Sequence, residues 1–176
     1  NNTRGVLEQT GTTDLSIDLH GGALTNTSGT IIANATNLNL SAGAVNNTTG
    51  VIGHAGTGQL SVNASSVDNT QGQIIGNGSA VLKSTGKLSN ADGLISSNAD
   101  LSVSSADLDN TVTGSVKSAT GIQSQSGNVT LSAQALTNSG SIYAAKNLSS
   151  QLTSLNNSGS LYAVGQQNLN VTHGVV

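Results

Sequence analysis

Few groups in this chain could do chemistry, and the densest set lies near its start. The segment Asp-Leu-Ser-Ile-Asp-Leu-His alternates Asp14, Asp18 and His20 with Leu15, Ile17 and Leu19. An extended strand sends alternate side chains to opposite faces, so the aliphatic residues point one way and the two carboxylates and the imidazole the other. Those three are the donor set of a weak divalent-cation site, although an ordinary solvated strand face has the same pattern. His54 and His173 have no acid nearby in sequence, and the absence of Cys removes thiol ligands and disulfides alike. No cofactor is expected. Glycan cleavage would need an acid and a base converging in a groove. With eight acidic and five basic residues, and no repeated or paired carboxylate in any aliphatic column, the chain is not expected to be an enzyme. The remaining candidates are recognition residues. They are Tyr143 and Tyr162, which occupy equivalent places, and Ile122, Gln123 and Gln125 in a long insertion.

The elements that would position these groups follow from composition and spacing. Phe, Trp, Met, Cys and Pro are absent, and the apolar residues are mostly Ala, Val, Leu and Ile. A disordered chain would be charged and poor in β-branched residues. Here only 7% of residues are charged while Val, Ile and Thr abound, which indicates β-structure with a thin aliphatic core. The net charge of −3, with basic residues dispersed, argues against nucleic acid. No apolar run is long enough for a membrane span, and no signal peptide is evident, so residues 1–176 are expected to be one internal segment of a longer precursor.

A phrase of Asn followed shortly by Gly recurs at Asn2, Asn26, Asn47, Asn69, Asn90, Asn110, Asn138 and Asn157. From Asn26 onward the steps are 21, 22, 21, 20, 28 and 19 residues, a repeat of about 21 with one insertion. Aligned on the phrase, four aliphatic columns emerge. The first contains Leu24, Val45, Val67 and Leu88, and the second Ile31, Ile52, Ile74, Ile95 and Val116. The third contains Ile17, Leu38, Leu60, Val81, Leu101 and, in the final turn, Leu169. The fourth, two residues further on, contains Leu19, Leu40 and Val62 but fails at Lys83 and Ser150. At Lys83 a local bulge that turns Leu82 inward is expected to restore the column.

Spacing by two is strand spacing, and a repeat this short cannot bury its own apolar residues. Stacking in parallel register buries them, giving an all-β parallel β-helix of about eight coils with three short strands each. Asn suits the turns because it tolerates left-handed angles and can bond from coil to coil as a ladder. Val116 to Val129 spans thirteen residues where most coils use six to eight and the first, Leu7 to Ile17, uses ten, so residues 118–127 are expected to protrude as a loop with Ile122 as a small anchor. The tyrosines should face outward and stack between coils.

The phrase L-x-N-x-x-G-x-I followed by L-x-L, as in Leu24 to Leu40 and again from Leu136 to Ser149, resembles the haemagglutinin repeat of filamentous-haemagglutinin-like exoproteins. The resemblance spans essentially the whole chain. It implies a right-handed β-helix in the shaft of a secreted bacterial surface protein, either an adhesin or a contact-dependent inhibition effector. The implied partners are flanking repeats of the same chain, an outer-membrane transporter of two-partner secretion, and a receptor on a host cell or neighbouring bacterium.

Overall fold

A computed structural model describes residues 1–114 and 120–174. The described elements are all strands, and the pairings between them are parallel. One sheet has eight strands, Val6–Gln9, Thr30–Ala33, Val51–His54, Gln73–Gly76, Leu94–Ser97, Gly121–Ser124, Ser141–Ala144 and Ser160–Ala163, each from a successive coil. The remaining strands form a second, bent sheet that closes each coil. In the first four coils that sheet is built from two short strands per coil. In the next three they fuse into the ten-residue strands Leu101–Asn110, Val129–Asn138 and Leu148–Asn157. At a strand spacing of about 4.8 Å the eight coils make a rod roughly 38 Å long.

The core is a set of stacked aliphatic columns, because each coil can cover its apolar face only with the coils on either side. Ile31, Ile52, Ile74, Ile95, Ile122 and Ile142 pair in register, and all are essentially inaccessible. A second column runs through Leu24, Val45, Val67, Leu88, Leu108, Leu136 and Leu155.

The other two columns differ from the sequence alignment in three coils. The third is Leu15, Leu38, Leu60, Ala80, Leu101, Val129, Leu148 and Gln167. The fourth is Ile17, Leu40, Val62, Leu82, Val103, Leu131, Ser150 and Leu169. Ile17 and Leu169 therefore belong to the fourth column, and Ala80 replaces Val81 in the third. Leu82 is buried and Lys83 exposed, but the strand Ser79–Ser84 pairs residue for residue with Gln59–Ala64, so no bulge is involved. The extra residue sits in the following corner: Leu82 to Leu88 spans six residues where Val62 to Val67 spans five. Counting back across that corner shifts the register by one.

The insertion also lies elsewhere. Residues 121–124 form a strand in which Ile122 pairs with Ile95 and Ile142 and is fully buried. Ile122 thus takes the column place assigned to Val116, and the added length falls between Asn110 and Gly121. A protruding loop over 118–127 and an exposed Ile122 anchor are both excluded by this register. Val116, Ser118 and Ala119 lie outside the described residues.

Candidate functional site

The recurring Asn residues build a continuous ladder along one edge of the rod. Each Nδ2 donates to Oδ1 of the Asn one coil further on: Asn2 to Asn26, Asn26 to Asn47, Asn47 to Asn69, Asn69 to Asn90, Asn90 to Asn110, Asn110 to Asn138 and Asn138 to Asn157. The distances are 2.7–2.9 Å. Each amide also reaches backbone carbonyls, as Asn69 does at Gly72 and Leu94. Asn26, Asn47 and Asn69 are completely enclosed. Burying so polar a side chain is tolerable only because its hydrogen bonds are made.

The left-handed backbone of the turn is not carried by Asn. It falls two residues later, at Arg4, Ser28, Thr49, Gln71 and Asp92, with φ of 51–55°. The following Gly is needed for close approach rather than for its angles. A Cβ at Gly29, Gly50, Gly72 or Gly93 would lie 2.1–2.2 Å from the backbone oxygen of the Asn one coil below. At Asn138 and Asn157 the phrase is one residue shorter, and no left-handed residue occurs in those turns.

A second ladder stands at the corner entering the bent sheet. Asp14 accepts from the backbone N and Nδ2 of Asn37, at 3.0 and 3.1 Å, and Asn37 Oδ1 accepts from Gln59 N. Further along, Asp100 accepts from Asn128, Asn128 from Asn147, and Asn147 from the backbone N of Gln166. Its sequence signal is an Asp or Asn directly before the third column, as at Asp14, Asn37, Asp100, Asn128 and Asn147.

This geometry separates the suggested cation ligands. Asp14 is committed to Asn37 at one end of the strand. At the other end Asp18 accepts from the backbone N of His20 at 2.8 Å, and its carboxylate lies 3.2 Å from His20 Nδ1. Four extended residues place Asp14 and Asp18 about 13 Å apart, too far to share one ion. His54 is buried in a column of small residues beside Ala33 and Gly76, with Nε2 3.0 Å from the Ala35 oxygen. Among the described residues, His54 Nδ1, Ser105 Oγ and Ser150 Oγ are buried without a partner.

The recognition candidates are partly brought together. Ser96, Gln123, Tyr143 and Tyr162 occupy one outward column of the eight-stranded sheet, preceded by Ile32, Gly53 and Ile75. The tyrosine rings stack with centroids 5.7 Å apart and planes within 8°. Stacked along the rod, each ring covers one face of the other, which makes the pair a packing contact between adjacent coils. Gln123 and Gln125 each direct Nε2 toward Ser96 Oγ, at 3.3 and 3.5 Å.

The haemagglutinin-repeat profile matches residues 9–60, 53–92, 89–140 and 124–174, nearly the whole described rod. The chain belongs to the haemagglutinin-repeat family. It is a filamentous-haemagglutinin-like repeat segment, from a family of structural, adhesin-type shafts typical of secreted or surface filaments. No curated protein and no solved structure gives a significant match.

Proposed function

We propose that the chain is a stalk segment of a large secreted bacterial surface filament, exported by two-partner secretion. In this reading it holds distal adhesive or toxin domains away from the cell, for adhesion or contact-dependent inhibition. The observation that carries it is the unbroken Asn ladder from Asn2 to Asn157. Each coil is bonded to the next by side chains as well as backbone, which makes a rod stiff along its axis and leaves little backbone open to proteases. The aliphatic columns run through the same coils, so length is set by coil number alone. The family's structural, adhesin-type character supports a non-enzymatic role.

A stalk is defined by length, and its surface residues are replaceable. Exchanging this segment in the full-length protein for an equal number of haemagglutinin-repeat coils with a different surface should preserve display, adhesion and inhibition. Removing two whole coils should shorten the filament by about 10 Å without loss of export. Loss of adhesion or inhibition in the exchanged but normally displayed filament would instead assign binding to this segment. The outward Gln123–Tyr143–Tyr162 column is the observation that favours that second reading, with a receptor meeting a strand face.

A further inference from the structure

Three asparagines, Asn34, Asn77 and Asn98, stand at equivalent places in the corner that follows the eight-stranded sheet. All three are exposed. Their backbone N–H groups donate at 2.8–2.9 Å to the last strand residue of the coil before, Asn34 to Gln9, Asn77 to His54 and Asn98 to Gly76. Asn34 and Asn77 also share a side-chain contact, Nδ2 donating to the backbone oxygens of Thr10 and Ala55 at 3.2 and 3.0 Å. What differs is the residue that follows, which is Ala35, Gly78 or Ala99. Asn77 is the only asparagine of the chain directly followed by glycine.

The successor matters because its backbone nitrogen is the nucleophile nearest an Asn carboxamide carbon, and a Cβ beside that nitrogen crowds the approach. Ala35 and Ala99 carry one and Gly78 does not. Hydrogen bonding grades the three further. Ala99 N is tied to Gly78 O at 3.0 Å. Among the described residues the N–H groups of Ala35 and Gly78 have no acceptor, so no bond must break before either nitrogen moves. Only Asn77 is followed by a nitrogen that is both untied and uncrowded. Packing explains why glycine stands there: a Cβ at Gly78 would run into the backbone oxygens of Gly58 and Thr57 one coil below. Close stacking of the coils thus demands the residue that makes this junction labile.

We propose that Asn77–Gly78 is a site of spontaneous deamidation, which ages the rod at its fourth coil. Solvent base takes the Gly78 amide proton, and the nitrogen attacks Asn77 Cγ. The Cγ–Nδ2 bond breaks and ammonia leaves with a proton from solvent, closing a five-membered succinimide. Water then opens the ring at either carbonyl, leaving aspartate or isoaspartate at position 77. Aspartate loses the bond to Ala55 O and sets a carboxylate against that oxygen. Isoaspartate adds a methylene to the main chain between the strands Gln73–Gly76 and Ser79–Ser84, which are held in register by the coils on both sides. The corner has no slack for it, because Gly78 is buried against Thr57 and Gly58. Conversion therefore loosens the middle of the rod and opens its backbone to proteases. The proposal does not rest on the stalk reading.

The test ages the 176-residue chain at about pH 8 and 37 °C and follows each asparagine by peptide-mapping mass spectrometry. Enzymatic methylation of isoaspartate identifies the product. Asn77 should show the gain of about 1 Da that deamidation brings. It should convert roughly ten-fold faster than Asn34, whose successor carries a Cβ, and Asn98 should be the slowest of the three. Converted protein should unfold at lower urea than fresh protein and be cut by protease within the fourth coil. Asn77→Gln, whose longer side chain would have to close a six-membered ring, should stay unmodified there and keep its urea midpoint through the same ageing. The proposal is overturned if Asn77 stays intact in the folded rod, if Asn34 or Asn98 converts as fast, or if protein converted at Asn77 unfolds like fresh protein.

Discussion

Replacing Asn69, in the middle of the ladder, tests whether the amides hold the coils together or merely fill space. Its Oδ1 accepts from Asn47 at 2.8 Å, and its Nδ2 reaches Asn90 Oδ1 at 2.8 Å, Leu94 O at 3.1 Å and Gly72 O at 3.2 Å. In Asn69→Ala the Asn47 amide keeps Gln73 O and Gly50 O, and Gly72 O keeps the backbone N of Leu94. Asn90 Oδ1 is the buried acceptor left without a donor. One orphaned acceptor costs about 1–3 kcal/mol and the lost bonds about 1 kcal/mol more, so a loss of roughly 2–4 kcal/mol is expected.

Asn69→Asp should cost more at neutral pH, because a carboxylate oxygen then faces three acceptors inside the rod. That variant carries a sign that packing alone would not give. Burial among acceptors raises the folded-state pKa of the introduced carboxyl above its unfolded value of about 3.9. The folded variant then binds more protons than the unfolded one, so its deficit relative to the parent should shrink as pH falls through the raised pKa, levelling off below about 3.9. Urea unfolding followed by far-UV circular dichroism from pH 7 to pH 4 measures both effects. An Asn69→Ala variant within about 0.5 kcal/mol of the parent, or an Asp deficit that is flat with pH, would refute the ladder's role.

Other expectations concern the core and the corners. Ile74→Asp should abolish cooperative unfolding by placing a carboxylate in the isoleucine column, while Gln73→Asp beside it stays near neutral; equal effects in urea melts would reject the column assignment. Ser150→Ala should stabilise by about 1 kcal/mol, because a buried unpartnered hydroxyl is removed; a measured loss would mean that Ser150 Oγ is satisfied after all. Deleting Thr120 to Ser126 removes the strand that carries Ile122 and should destroy cooperative unfolding, whereas a surface loop could be shortened with little effect. Hydrogen bonds from the Thr113 side chain and then its backbone hold the Asp92 carboxyl below the ordinary carboxylate value. What that contact contributes is present above pH about 3.9 and is lost as pH falls through the lowered value. Carboxyl carbon NMR should show the low titration, and Thr113→Val should move it upward.

The sequence alone determined the repeat, the parallel stacking and two aliphatic columns almost entirely, because each rests on a local phrase copied once per coil. It also marked the Asn ladder, since a polar residue recurring at a fixed place beside a buried column must meet its own copies. What it did not determine is the length of each corner. A corner with one or two added residues, after Leu82 or after Ile17, leaves the phrase intact while sliding the strand before it, and a period-two pattern reads equally well in either direction. Lys83 and Ser150 looked like the same failure of one column. Pairing with neighbouring coils turns Lys83 to solvent and leaves Ser150 inside, where Leu152 beside Ala133 supplies the bulk. The insertion was misplaced for the same reason: Val116 and Ile122 are both aliphatic residues preceding the next strand, and only burial against Ile95 and Ile142 selects Ile122. Likewise Asp14 and Asp18 share a strand face in sequence, but the coil above claims Asp14 through Asn37. Contacts one coil away lie about twenty residues off in sequence, so the choice among equivalent local patterns is made by the neighbouring turn of the rod.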